Sequence, residues 1–173
     1  APVIKVTNPD GSVAFDGPVV FLPVDSTYTS TGVIKVPDAA GEQLGFQGFF
    51  LPSAYSPDPD EPSTSIFPGA LNPRIGMNLW TGDLGLDDGT PQSVFSLDTD
   101  AMTQVKDGDG NFRVDLGPGE SQQLPNGGTI EFVELKQWAR FQIGHTPVAG
   151  LALFGVGVGI LGLMGSLLVR PRR

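Results

Sequence analysis

The chain of 173 residues contains no cysteine. Disulfides, thiol catalysis and thiolate-bound metals are excluded within it, although this does not fix a compartment, because many secreted proteins also lack disulfides. Histidine is almost as scarce. His145 is the single one, which excludes a Ser–His–Asp triad and a histidine-rich metal site. Basic residues are few as well, 10 Lys and Arg against 19 Asp and Glu, for a net charge of −9. A surface of that sign repels phosphate backbones and anionic lipid, so nucleic acid is not an expected partner. No nucleophile elbow, P-loop or dinucleotide fingerprint occurs. No catalytic residue and no metal ligand set is assigned, and the chain is not expected to be catalytic on its own.

What is abundant is turn chemistry, with 24 glycines and 16 prolines. Short apolar runs alternate between these breakers: Val3 to Thr7, Val13 to Phe15, Val19 to Leu22, Gly32 to Val36, Leu44 to Leu51, Met77 to Trp80, Ser93 to Leu97 and Phe112 to Leu116. Asn126-Gly127, set between Gln122–Leu124 and Thr129–Leu135, is a hairpin signal. About nine strands at this spacing predict a mainly β domain, an antiparallel β-sandwich or open barrel, over residues 1–145. The proline- and acid-rich stretch Ser53 to Asn72 reads as a long loop, either disordered or packed against a partner. Asp107-Gly-Asp109-Gly-Asn111 opens like a calcium loop, but Phe112 stands where glycine is needed and Pro118 where the bidentate glutamate belongs, so a turn is expected. Asp83, Asp87 and Asp88 among glycines likewise read as turn formers.

From Val148 to Val169 no charged residue occurs. A helix of that length measures about 33 Å at a 1.5 Å rise, against a hydrocarbon core of about 30 Å. Residues 146–169 are therefore expected to form one transmembrane α-helix, with Thr146 and Pro147 at its start and Trp138 and Phe141 at headgroup level. The tail 170–173 (Arg170-Pro171-Arg172-Arg173) is expected to stay cytoplasmic by the positive-inside rule, which puts 1–145 on the extracytoplasmic face of a cell membrane. Ala1 is not methionine and no signal peptide precedes the domain, so further chain is expected ahead of it, and the abrupt basic end fits one piece of a larger polytopic protein. Within the span Gly155 and Gly159 form a GxxxG pair and Gly162 extends that stripe, a pattern that favours packing against other spans or reflects only the glycine content of membrane helices. A wall-sorting signal is a poorer reading of Leu124-Pro125-Asn126-Gly127-Gly128, since its fourth residue is glycine and a β-rich stretch separates it from the apolar run.

An ordered set of segments carries a family resemblance. Gln43 to Pro52 (with Phe46, Phe49 and Phe50), Gly82-Asp83-Leu84-Gly85-Leu86-Asp87, Pro91 to Val94, Leu97-Asp98, and Trp138 to Ile143 running through Pro147 into a span ending in Arg170-Pro171-Arg172-Arg173 resemble the ResB family, closest in style to actinobacterial members. The resemblance covers essentially the whole chain. It implies a subunit of a system II cytochrome c maturation complex, acting with a ResC-like membrane protein to deliver haem across the membrane and attach it to apocytochrome c. Haem is implied for the complex, and none is assigned to this stretch. His145 matches no family ligand motif and stays only a candidate. Phe46, Phe49 and Phe50, the loop 53–72 and Gly155, Gly159 and Gly162 are the candidate partner contacts. The alternative is a membrane-tethered envelope module that acts without haem.

Overall fold

The computed structural model describes residues 1–58, 61–86, 89, 93–137 and 149–168. Its contacts divide the chain into two units, Ala1–Trp138 and Ala139–Arg173.

The first unit is built on two antiparallel sheets. In one, β1 (Pro2–Thr7) lies between β2 (Val13–Pro18) and β14 (Thr129–Leu135), and β13 (Ser121–Gln123) pairs with the far side of β14. The other runs in the order β12 (Arg113–Leu116), β8 (Arg74–Gly82), β5 (Glu42–Leu51), β4 (Ser30–Ala39) and β3 (Leu22–Pro23), and β9 (Met102–Gln104) also pairs with β8. Two ribbons, β6 (Ala54–Tyr55) with β7 (Thr64–Ser65) and β10 (Lys106–Asp107) with β11 (Gly110–Asn111), complete the set.

The two-residue period of a strand decides which side chains meet. Ile4 and Val6 of β1 and Ile130 and Phe132 of β14 point to one side. They meet Ile34, Val36, Leu44, Phe46, Ile75, Met77 and Leu79 of the larger sheet in a single buried core. Two open sheets sharing one core is the expected antiparallel sandwich, and neither sheet closes. The larger sheet is covered on its other face as well, where Val33, Leu84, Leu97 and Met102 form a second small core beside Trp80.

Glycines make the two-sided packing possible. A Cβ on Gly32 would lie 2.6 Å from the ring of Phe21, one on Gly45 2.7 Å from Leu97, and one on Gly76 2.6 Å from the ring of Phe49. Each missing side chain is thus a notch filled by a large neighbour. Gly48 differs, because its Cβ would stand 2.0 Å from the carbonyl oxygen of Gly76 on the adjacent strand, where nothing flexible can yield.

Most of the expected strands are present, and the Asn126-Gly127 hairpin closes as read. Gly127 adopts φ 87°, the Leu124 N–H donates to the Gly128 carbonyl at 2.8 Å, and the Leu124 carbonyl accepts the Gly127 N–H at 2.9 Å. Asp107 to Asn111 is the expected turn, between β10 and β11, with Gly108 at φ 58°. Ser93 to Leu97 is not a strand. Val94 and Phe95 are both exposed, the Ser93 hydroxyl takes the N–H of Phe95, and only Leu97 turns inward, onto Gly45.

In the second unit one helix, α1 (Ala149–Leu168), lies inside the expected 146–169. Among the described residues no helix is long and apolar enough to cross a membrane. The side chains of α1 are described only at Gly150 and over 153–168, short of the roughly 20 apolar residues that a span takes. The expected cap at Thr146 and Pro147, the aromatic residues Trp138 and Phe141, and the tail 170–173 lie outside the described residues.

Because Gly48 faces backbone, Gly48→Ala is expected to destabilise the domain by about 3 kcal/mol, read as a lowered urea midpoint. Gly17→Ala, on β2 with open space around it and no left-handed backbone, loses far less.

Candidate functional site

The described residues of the segment 53–72 form an ordered loop. The Ser53 hydroxyl donates to the carbonyl of Gly69 and accepts the N–H of Leu71 at 3.3 Å. Asn72 closes the base, its side-chain amide donating to the Ala54 carbonyl at 2.9 Å while its own carbonyl accepts the Ala54 N–H at 2.9 Å. Ser65, buried like Ser53, reaches across to the carbonyl of Thr27 at 3.0 Å. Side-chain hydroxyls and one amide add to the short β6–β7 ladder within the loop.

This ordering holds apolar side chains out in water. Tyr55, Ile66, Phe67 and Leu71 are all exposed, Leu71 to 76%. A single exposed leucine means little, but four large apolar residues on one hydrogen-bonded loop make it the candidate contact surface.

The turn that Ser65 grips has the same character. Asp25 accepts the backbone N–H groups of Thr27 and Thr29, each at 2.9 Å, and the Thr27 hydroxyl at 2.8 Å. The closed turn forces Tyr28 to φ 58°, a left-handed conformation that costs an aromatic residue about 1–2 kcal/mol, and leaves its ring exposed. Hydrogen bonds from Thr29 and then Thr27 hold the Asp25 carboxyl below its ordinary value of 3.8.

The three phenylalanines of β5 separate by face. Phe46 is fully buried and Phe50 packs on the main core, 6.0 Å from Phe21 between ring centres, so the contact role expected of these two is corrected to core packing. Phe49 alone points to the opposite face, where the guanidinium of Arg113 lies 5.4 Å above its ring. Phe49, Arg113 and Arg74 border a cleft of about 340 Å³ whose other side is Glu61, Pro62 and Ser63 of the loop. Arg74 is tied to Asp115 at 2.8 Å and Glu120 at 3.4 Å, whereas Arg113 forms no ion pair among the described residues. Phe49, its arginine and the ordered loop are therefore one continuous polar–apolar surface.

Gly155, Gly159 and Gly162 lie on α1 with nothing packed on them, and Leu153, Phe154, Leu161 and Leu163 around them are exposed. His145 lies outside the described residues. Of the aspartates read as turn formers, Asp83 accepts the N–H of Gly85 at 2.8 Å, while Asp87 and Asp88 lie outside the described residues.

No group of acids or histidines among the described residues has metal-holding geometry. Of the residue types that can hold a haem iron, Met77 and Met102 are sealed in the two cores, Met164 is exposed on α1, Tyr28 and Tyr55 stand on the surface, and no histidine or cysteine is among the described residues.

Arg113, Ser53, Ser65 and Asp25 were not singled out from the sequence. Only Asp25, followed two and four residues on by threonines, carries a local turn signal there. The lowered carboxyl gives its hydrogen bonds a pH signature. Their contribution is complete above the unfolded value near 3.8 and fades as pH falls through the lower, folded one. Below about pH 3.8 amide exchange at Thr27 and Thr29 is expected to accelerate ahead of the core strands. Asp25→Asn should exchange fast at those amides already at pH 6.

No curated protein and no solved structure matches the chain. The model of the ResB-like family, a family associated with cytochrome c biogenesis, matches residues 1–173, so the chain belongs to the ResB-like family.

Proposed function

We propose that this chain is a docking subunit of a cytochrome c maturation complex. In this reading it works beside a ResC-like membrane protein, and the complex as a whole carries haem across the membrane and joins it to apocytochrome c. The ordered loop 53–72, with Tyr55, Ile66, Phe67 and Leu71 held out, is the observation that carries the docking role. Burying an apolar side chain of that size contributes about 1.5–3 kcal/mol, and the loop's order means that little freedom remains to be lost on association. In this reading the haem belongs to the partner-bound assembly, and none is assigned to this chain.

Helix α1, with the apolar residues Val148 and Val169 on either side of it in the sequence, is on this proposal the membrane span. It has no acid or base over 20 residues, about 30 Å of helix, and exposed leucines that only lipid or another span can cover. The stripe Gly155, Gly159 and Gly162 then faces a neighbouring helix. Residues 1–145 stand outside and the arginine tail inside. The charge agrees, since all 19 acids precede residue 146 and three arginines follow the apolar run.

Two measurements separate this reading from a haem-independent envelope module. Full-length protein purified from membranes with its ResC-like partner is expected to retain haem in a reduced-minus-oxidised spectrum. Phe67→Ser with Leu71→Ser should then cut partner recovery roughly tenfold without lowering the Tm of the domain. A haem-free protein that ignores the partner, in cells that keep their cytochrome c after its deletion, leaves only the envelope module. For topology, Ser26→Cys is expected to react with an impermeant maleimide in intact cells, and Arg173→Cys only after lysis.

A further inference from the structure

The sandwich opens at one side between β2, an edge strand, and the part of β4 that runs on past its short partner β3. That opening is a cleft of about 450 Å³. Phe15 and Val19 line one wall, Val33 the floor, and Val94 and Phe95 the side towards the loop that follows β8. Val20, Val94 and Phe95 are exposed around it, and no acidic side chain among the described residues lines it.

Lys35 enters this cleft from β4 in an unusual posture. Lysine ordinarily lays its stem on apolar surface and keeps its ammonium in water. Here the residue as a whole is only partly buried, yet Nζ is out of solvent and has no hydrogen-bond partner among the described residues. An ammonium has three donors and no acceptor, and a withdrawn cation without a counter-charge is costly to keep. The pairing rule of the sheet accounts for the placement. Lys35 sits opposite Gly45, whose notch is filled by Leu97, so the loop that carries Val94 and Phe95 is drawn over the lysine's face of the sheet.

We propose that the cleft binds a small amphipathic monocarboxylate, whose carboxylate takes the Lys35 ammonium while its apolar body lies against Phe15, Val20, Val94 and Phe95. The volume is within the range of roughly 300–1,000 Å³ usual for small-molecule sites. One cation without a second basic group selects a single negative head, and the apolar remainder of the lining selects the rest of the molecule. The inference is independent of the docking role, which uses a different surface.

The chain of residues 1–173 in phosphatidylcholine nanodiscs carries four lysines, Lys5, Lys35, Lys106 and Lys136, and selective ¹³Cε-lysine labelling separates their signals. Octanoate is expected to move the Lys35 signal saturably and leave the other three in place, while octanol and acetate each fail to do so. Lys35→Met should weaken octanoate binding, read on the methyl signals of Val33 and Val94, roughly tenfold or more, and Lys35→Arg should restore most of it. The Tm of unliganded Lys35→Met should equal or exceed that of the wild type, because the variant removes an unpaired cation. The inference is overturned if all four lysines respond alike, if acetate alone reproduces the shift, or if Lys35→Met binds octanoate as tightly as the wild type. It is equally overturned if nanodiscs containing phosphatidylglycerol saturate the Lys35 signal with no octanoate present, since the occupant is then a lipid head.

Discussion

Everything in the larger sheet depends on bulk being supplied from outside the strand wherever the strand gives it up. Gly32, Gly45 and Gly76 leave three notches across β4, β5 and β8, and Phe21, Leu97 and Phe49 fill them. Phe21 comes from the connection between β2 and β3, and so ties the small sheet's edge to the large one. Leu97 comes from the long connection between β8 and β9, and so closes the second core. Only Phe49 fills its notch from within the sheet, which leaves the outer side of its ring for Arg113. One face of the sheet is thus wholly core, and the other is divided between the small second core and the surface around Phe49.

That division explains why the candidate surface is where it is. Phe46 and Phe50 share a parity and go inward, and Phe49 goes outward because a strand offers no third choice. The cleft beneath Phe49 then runs directly to Glu61, Pro62 and Ser63, so the loop and the exposed ring belong to one surface although they are distant in the chain. Family membership gives the chain a context in cytochrome c biogenesis, and the docking role proposed for this surface is set within it.

The strands that alternate over four or more residues were legible in the sequence, as were the hairpin at Asn126-Gly127 and the turn at Asp107. The two-residue strands β3, β6, β7, β10 and β11 were not, since two residues carry no period and their pairing is set by distant partners. Ser93 to Leu97 misled because Val94 and Phe95 look like strand residues, and nothing local shows that Leu97 alone has a notch to fill. The order of the loop 53–72 was hidden for a similar reason. Its prolines and acids have the composition of a disordered segment, while its order comes from Ser53, Ser65 and Asn72, whose partners lie up to 38 residues away. The faces of β5 were legible in principle, by counting in twos from Leu44, but which face is core depends on the second sheet.

The pairing of β1 with β14 has a mechanical consequence. Pro2 stands opposite Leu135, and Lys136 donates its N–H to the carbonyl of Ala1 at 2.8 Å, so residues 1 and 136 are neighbours at one end of an antiparallel ladder. Tension between those two points does not shear the strands past one another, with all their hydrogen bonds resisting at once. It peels them like a zip, one rung at a time, from Leu135 towards Thr129. Under load, the domain is weakest at the rung where its two ends meet.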